Sequence, residues 1–476
     1  MCYRAHGSPC VSLPGGVPMK RPVSLCTFLA ALFVAGCTAE ARLARHEFES
    51  VPVPVARALS EASQGRSGAT SAPAVLSSLT LEELLRLTEL RSPGLAAAYH
   101  RWRGAVAEIG TAVEIPEAML EYFENIEDRR SNIMLDGGKR GVMFTQEITN
   151  PGKLVAREKM LSAEAQVMAQ DFDAFRRQAR LRAAVAYYEL QSLDARVQIT
   201  AQLAQIAADV EEAMGPMIAS GMASQADLLR MQVERAEMES ELAGLKLRRP
   251  ALVRQLVSAS GVEVAPDVKL EPLLAAVRLT RVPGRAKLHV AVEENPMLRM
   301  EHARAAVAQA RQVEANWMWV PDFLVGAGWM DMGTPMGEGG TWSAVSVRAG
   351  ISIPWQFHVS KARSDAAAAN EMAARLVVEQ RKLDLLAELD FALFELSDAE
   401  RMHQLLNDEV LPKARMALEL VRADFATGKA RLGDVLGAQR TLLAGEVSNV
   451  RARTEVLKAR AMLQSLTGLN LKGEGE

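Results

Sequence analysis

The chain repeats itself. Gly221-Met222-Ala223-Ser224-Gln225-Ala226-Asp227-Leu228-Leu229 returns as Gly428-Lys429-Ala430-Arg431-Leu432-Gly433-Asp434-Val435-Leu436, with Gly, Ala, Asp and the last Leu in the same places. Gln232 and Gln439 extend the match, at a spacing of about 207 residues. Each copy follows a run of roughly 65–70 residues with no interior cluster of helix breakers. Two very long helical hairpins related by duplication suit a conduit or a scaffold better than a globular enzyme.

The amino terminus carries an address. Lys20 and Arg21 precede the short apolar run Val23 to Ala35, which ends in Val34-Ala35-Gly36-Cys37. Charge, apolar stretch and small-residue cleavage site have the order of a signal peptide, and Met19 is a more natural start for it than Met1. A cysteine directly after the cleavage site resembles a bacterial lipobox, so residues 1–36 read as a lipoprotein signal and Cys37 as the acylated first residue of the mature chain. Thr38 follows it, with no Asp to signal inner-membrane retention, which implies sorting to the outer membrane. The four cysteines are Cys2, Cys10, Cys26 and Cys37, so the mature chain keeps no thiol for a disulfide or a thiolate metal site.

A formal net charge of -3 carries no nucleic-acid footprint. After the signal no run of 18 apolar residues occurs, so any membrane-spanning part must be β-barrel. Residues 37–78, rich in Ser, Pro, Ala and Arg, read as an extended tether. Structure is expected to begin at Thr80-Leu81-Glu82-Glu83, a capping box.

Beyond it lie two copies of one unit, residues 79–270 and 285–470. Ser92-Pro93 and Asn295-Pro296 each supply an N-cap and a proline at the first helical position. Pro116 and Pro321 stop the helices that follow. Two strands are then expected per copy: about Ala118 to Glu124 and Val142 to Ile148, then Phe323 to Met330 and Val345 to Ile353. The last alternates cleanly, with Val345, Val347, Ala349, Ile351 and Ile353 against Ser346, Arg348, Gly350 and Ser352. Apolar residues would face lipid and polar ones a lumen. The first copy alternates less well because Gln146 interrupts its apolar face. Trp317, Trp319, Trp329, Trp342 and Trp355 cluster here and suggest interfacial girdles. The long helices should run from Lys153 to about Ser220 and from His358 to about Thr427. Their seams read as Leu203, Ile206, Val210, Ala213 and Leu386, Leu389, Leu393, Leu396, with Pro216 and Pro412 loosening each helix. Return helices, about Ser224 to Ala259 and Leu432 to Thr467, end at Gly261 and Gly468 as C-caps. Four strands per chain cannot close a membrane barrel, so copies must combine; three would supply twelve strands.

In this order, duplicated, the elements resemble the outer membrane efflux protein (TolC) family over about Leu79 to Leu469. The carriers are the SP/NP helix starts, the strand-to-helix junctions and the two Gly-x-Ala-x-x-x-Asp turns. Gln146-Glu147-Ile148-Thr149-Asn150-Pro151-Gly152-Lys153 and Pro321-Asp322-Phe323 are similar to the heavy-metal branch, typified by the CzcC and CusC channels. The fold class implied is mostly α with a β-barrel part: long periplasmic coiled-coil helices and four barrel strands per chain in a trimeric tube. The resemblance also implies a homotrimer in the outer membrane, a periplasmic adaptor and an inner-membrane RND-type pump as partners. It places adaptor contact at the tip residues Gly221, Ala223, Ser224, Asp227, Gly428, Ala430, Arg431 and Asp434.

Those residues also have a local explanation. Glycine permits the positive φ of a helix reversal, and Ser224 with Asp227 can cap the next helix, whereas Arg431 stands where the second copy needs a cap. Asp424, near the tip, is a candidate acid for a cation-selective ring. Met330, Met332 and Met336 bear soft thioethers but read as strand and loop residues among 22 methionines. The seven histidines show no metal-ligand spacing. No phosphate loop, HExxH or serine elbow is present, so no enzyme and no cofactor are expected beyond a lipid on Cys37. The expected function is a passive exit duct for heavy-metal cations. The same duct for drugs or secreted proteins, and a periplasmic coiled-coil adaptor or scaffold lipoprotein, are the alternatives.

Overall fold

The computed structural model describes residues 39–51, 76–124, 138–219, 223–272, 283–332 and 342–469. The signal segment, Cys37, Gly221, Met336 and the Gly333 to Gly340 loop lie outside them. Among the described residues no helix is long and apolar enough to cross a membrane.

The first element corrects the tether. Ala39–Glu49 is a helix (α1). Ala41, Ala44 and Phe48, stepping three and four, turn one face inward. Ala41 and Ala44 are buried against Ile109, Ala112, Leu161 and Ala165. Phe48 stacks on Tyr99 at 5.4 Å and meets Trp102 edge-on at 5.1 Å. The Ser/Pro-rich composition farther along hid this short apolar stripe. A second departure is β1 (Leu76–Leu79), which pairs in parallel with β4 (Val264–Leu270). The Tyr187 hydroxyl donates to the Leu79 carbonyl at 3.1 Å, and burial pushes this phenol and that of Tyr188 up to about 12, so both stay neutral.

Each repeat then unfolds in the expected order. The first has α2 (Leu81–Arg91), capped by the Thr80 hydroxyl on the Glu83 amide, and α3 (Pro93–Glu108), capped by Ser92 with proline at its start. The strands β2 (Met119–Glu124) and β3 (Gly138–Ile148) follow. The hairpin is α4 (Pro151–Ala219) and α5 (Gln225–Ser260). The second repeat gives α6 (Arg285–Glu293), α7 (Pro296–Trp317), β5 (Phe323–Met332) and β6 (Trp342–Ile351). Its hairpin is α8 (Phe357–Leu405), a π turn (Leu406–Val410), α9 (Leu411–Ala426) and α10 (Leu432–Thr467).

α4 has 69 residues, about 100 Å of helix, and runs through Pro216. Its counterpart, Phe357 to Ala426, is one residue longer, and the π turn absorbs the extra residue. Proline has no N–H and its ring crowds the carbonyl four residues back; the wider turn just before Pro412 relieves that clash. Buried Leu385, Leu389, Ala392, Leu396 and Ala399 align with buried Ala179, Ala183, Ala186, Leu190 and Leu193 before the turn. After it the alignment shifts by one residue, Ala414 matching Ala207.

The seams differ from the expected ones by about one residue. In α4 the inward line is Leu203, Ala207, Val210, Met214 and Met217, while Ala213 is exposed. In α8 it is Leu385, Leu389, Ala392 and Leu396, with Leu386 and Leu393 half-buried beside it. An alanine-rich helix offers two near-equivalent apolar lines, and packing on several neighbours selects between them. Inside the hairpin bundle buried Glu234 of α5 takes a two-pronged ion pair from Arg440 of α10.

Both return helices end as expected, on Gly261 at φ 71° and Gly468 at φ 70°. A Cβ on Gly261 would lie 2.9 Å from the Arg91 carbonyl oxygen. Gly261→Ala should therefore cost at least about 1–2 kcal/mol, whereas Gly244→Ala, in open space within α5, should stabilise by about 0.5–1 kcal/mol. Thermal unfolding midpoints moving in opposite directions check both.

Candidate functional site

The chemistry of this chain lies in two surfaces, a sheet at one end of the helices and a pair of turns at the other. The sheet has the order β2-β3-β5-β6, every neighbour antiparallel. Residues directly opposite share a face. Leu120 faces Phe144, which faces Ala327, which faces Val347; Tyr122, Val142, Trp329 and Val345 form the next row. Phe323, Val325, Ala349 and Ile351 complete one apolar face, on which Val345 is 79% and Val347 83% exposed. The opposite face carries Glu121, Thr145, Glu147, Ser346 and Arg348 among glycines. Those glycines make room: a Cβ on Gly328 would meet the Met143 sulfur at 2.9 Å, and one on Gly141 the Phe123 ring at 2.6 Å.

Gln146, the polar break in the apolar face, spends its amide locally. Its Nε2 donates to the Pro116 carbonyl at 2.7 Å and to the Glu147 carbonyl at 2.8 Å. It lies near the helix-side end of β3, where a polar group need not enter the middle of the apolar band.

The tryptophans divide. Trp329 stands on the apolar face. Trp319, stacked on Phe357 at 6.0 Å, and Trp355, 72% exposed, gather where strands meet helices, as a girdle should. Trp317 does not belong with them: its ring lies over Gly152, where any Cβ would collide with it. The side chain of Trp342 is outside the described residues.

Both junction segments singled out in the sequence meet at Asp322. Its carboxylate accepts from the Asn150 amide at 2.9 Å and from Lys153 Nζ at 2.5 Å. The Asp322 amide donates to Ser352 Oγ at 2.8 Å, and the Ser352 amide to the Asp322 carbonyl at 2.9 Å. One acid thus clamps the ends of β3 and β6 to the start of α4. The sequence marked these residues without showing that they touch.

At the far end the two turns come together. Ala223 and Ala430 both pack, half-buried, on one cluster with Met217, Met231, Phe425, Leu432 and Val435. The Ala223 amide closes on the Met217 carbonyl at 3.2 Å, and Ala430 on that of its counterpart Asp424 at 3.3 Å. Gly428 has φ 74°, the left-handed conformation that the reversal needs. Ser224 and Asp227 form a full capping box: the Asp227 amide donates to Ser224 Oγ at 3.1 Å, and the Ser224 amide and Oγ donate to the carboxylate at 3.2 and 2.6 Å. Those donors hold the Asp227 carboxyl below the usual carboxylate range. The second turn keeps half of the box, the Arg431 amide on Asp434 at 3.1 Å, because a guanidinium has no lone pair to offer.

Asp424 is half-buried in the last turn of α9, and its backbone carbonyl also takes the Lys429 amide at 2.8 Å. Met330 is half-buried on the glycine-rich face, while the side chains of Met332 and Met336 are not described. Among the described residues no group of three or more His, Cys, Asp or Glu is arranged to hold a metal ion.

The comparisons agree with this geometry. Residues 288–469 match the model of the outer membrane efflux protein family. The chain is 24% identical over 394 residues to the cobalt-zinc-cadmium resistance protein CzcC of Cupriavidus metallidurans, spanning 82% of this chain and 90% of that protein. Its fold matches crystal structures of CusC, with a TM-score of 0.69 at 13% identity over 85% of this chain and 96% of the other. It also matches the open state of the Neisseria gonorrhoeae MtrE outer membrane channel, with a TM-score of 0.66 at 15% identity over 85% and 94%. Residues 288–469 thus carry the outer membrane efflux protein signature, and the likeness in fold to such channels extends over most of the chain. These family and structural relatives are channels rather than enzymes.

Ser224→Ala should destabilise the tip by about 1 kcal/mol, and Arg431→Ser, completing the second box, should stabilise it by about 0.5–1 kcal/mol. The lowered Asp227 pKa makes its contribution full above the unfolded value of about 3.9, and that contribution is lost as the pH falls through the lower folded value. The protection of the Asp227 and Leu228 amides against exchange, each rate taken relative to the intrinsic rate at the same pH, should therefore fall on acidification in the wild type and stay level in Asp227→Asn.

Proposed function

We propose that this chain is the outer-membrane exit duct of a tripartite pump and that its cargo is heavy-metal cations. One observation carries the duct: a short antiparallel sheet with an apolar outer face and two open edges, β2 and β6, joined to a duplicated pair of very long hairpins. Open edges are not tolerated in lipid, and an even number of alternating strands lets β6 of one copy meet β2 of the next antiparallel. Three copies close twelve strands, with the polar, glycine-rich face lining the lumen. The repeats favour the same assembly. Tyr188 of α4 is 8% exposed beneath α10, while its counterpart in α8, Phe394, is 62% exposed, as though awaiting the next copy.

In this reading Cys37 carries the lipid two residues before α1, whose docking on α3 and α4 sets the anchor beside the base of the barrel. The paired turns meet a periplasmic adaptor, and an inner-membrane RND-type pump supplies the energy. Exposed Ser224, Arg431 and Asp434 are the adaptor-facing groups, Asp227 acting through the cap, Ala223 and Ala430 supporting the turns from within, and Gly221 and Gly428 reversing the chain. Asp424 from three copies would form an acidic ring where the tube narrows, favouring cations. The metal cargo rests on the resemblance to CzcC.

A deletion strain provides the test, with cell-associated cobalt, zinc, cadmium and copper measured beside dye efflux. Raised metal with normal dye efflux is the expected result. Unchanged metal with impaired dye efflux would move the cargo to drugs, and no change in either would overturn the efflux reading.

A further inference from the structure

The duplication predicts an individual hydrogen bond between copies. Gln439 of α10 is fully buried, and its Nε2 donates to the Leu203 carbonyl of α4 at 2.9 Å. With the Glu234–Arg440 ion pair, it joins the second hairpin to the first. The counterpart of Gln439 is Gln232 in α5, which is exposed, between exposed Leu229 and Val233. A glutamine flanked by apolar residues on an open helix face is the same device without its acceptor.

The counterpart of Leu203 falls at the π turn, on Val410. Here the backbone differs from α4 in a way that bears on hydrogen bonding. The Leu411 amide reaches back to the Leu406 carbonyl, and Pro412, next in line, has no N–H. Carbonyls of the Asn407 to Asp408 stretch are thereby left without their helical donor. They lie one turn from Val410, on a segment flanked by exposed Met402, Leu405, Met416 and Leu420. Repeat two thus offers carbonyls that lack the ordinary α-helical donor beside an apolar stripe, and repeat one offers an exposed amide donor beside another.

We infer that Gln232 of one copy donates to the main-chain carbonyls of the Leu406–Val410 π turn in the next copy, fixing the register of the helical tube between copies. The occupant is a second copy because the surrounding surfaces repeat those that already pack within the chain. At Tyr188 and Phe394, as at Gln439 and Gln232, one member is covered and its duplicate is open. The π turn, an irregularity caused by one extra residue and a proline, becomes the socket of the joint. This inference rests on the assembly of copies proposed above.

The test uses the full-length chain in isolated membranes with Gln232→Cys and Val410→Cys combined, under mild oxidation. A disulfide needs Cα atoms within about 7 Å, so the expected result is covalent dimers and trimers. Each single variant should give none, and neither should Gln232→Cys paired with Glu379→Cys, far along α8. A complementary variant, Gln232→Leu, should lower the temperature at which detergent-resistant oligomers dissociate while leaving the helical content of the chain unchanged. Molar mass in detergent separates the two levels of the argument. Three copies without the Gln232–Val410 crosslink would overturn this contact and leave the duct intact. A single copy would overturn the duct itself.

Discussion

Everything in this molecule follows from the edge of a sheet. Backbone N–H and C=O groups at an open edge cost several kcal/mol each in hydrocarbon, and a four-stranded sheet has two such edges. Among the described residues nothing pairs with them: β2 and β6 lie at the outside of the order β2-β3-β5-β6. An apolar outer face commits the sheet to lipid, and the two edges then commit it to copies of itself. The helices inherit the resulting symmetry. Because each chain holds two similar units, three chains in the assembly proposed above would approximate a sixfold ring of antiparallel hairpins enclosing a hollow tube. Conduction needs no further chemistry from this chain.

The two repeats are alike enough to tile and different enough to be told apart. The register of buried leucines and alanines along α4 and α8 is shared, so each hairpin presents one packing surface. The differences sit at the tip turns, at the π turn and on an exposed helix face. Arg431 replaces Ser224, which leaves the second turn with half a capping box and an added positive charge. One extra residue before Pro412 becomes a π turn. Phe394 replaces Tyr188, exchanging a phenol under cover for an apolar ring in the open. In the assembly proposed above, a strictly sixfold tip would offer six equal sites, and these substitutions would divide them into two classes of three.

Much of this was legible in the sequence because it rests on local rules. Proline at the first helical turn, glycine at the C-caps and the period-two strand around Val347 report backbone geometry directly. The Gly-x-Ala-x-x-x-Asp turns were visible as a repeat, and their capping box follows from residue type. What escaped depends on neighbours. α1 is hidden because its inward face has only Ala41, Ala44 and Phe48, with Leu43 turned outward, just before a Ser/Pro-rich stretch. Leu203, Val210, Leu389 and Leu396 lie on the seams as expected, while the alternate positions shift by a residue because alanine supplies almost as good a line on either side and only the surrounding helices choose. Asp322 was noticed for its motif, yet its clamp on Asn150 and Lys153 spans the two repeats and has no signature in either. Trp317 was grouped with membrane-facing aromatics by proximity in sequence, whereas a glycine in the other repeat holds its ring.

The most direct test of the account asks which face of the sheet meets lipid. Nitroxide labels at Val347→Cys and Ser346→Cys, adjacent on β6, can be compared in the protein reconstituted into bilayers. In a sheet that meets lipid on its apolar face, the label at residue 347 is relaxed by oxygen dissolved in the hydrocarbon and shielded from a water-soluble paramagnetic reagent, with the opposite behaviour at residue 346. Equal access of both labels to the aqueous reagent would show that the sheet does not span a membrane and would contradict the account at its base.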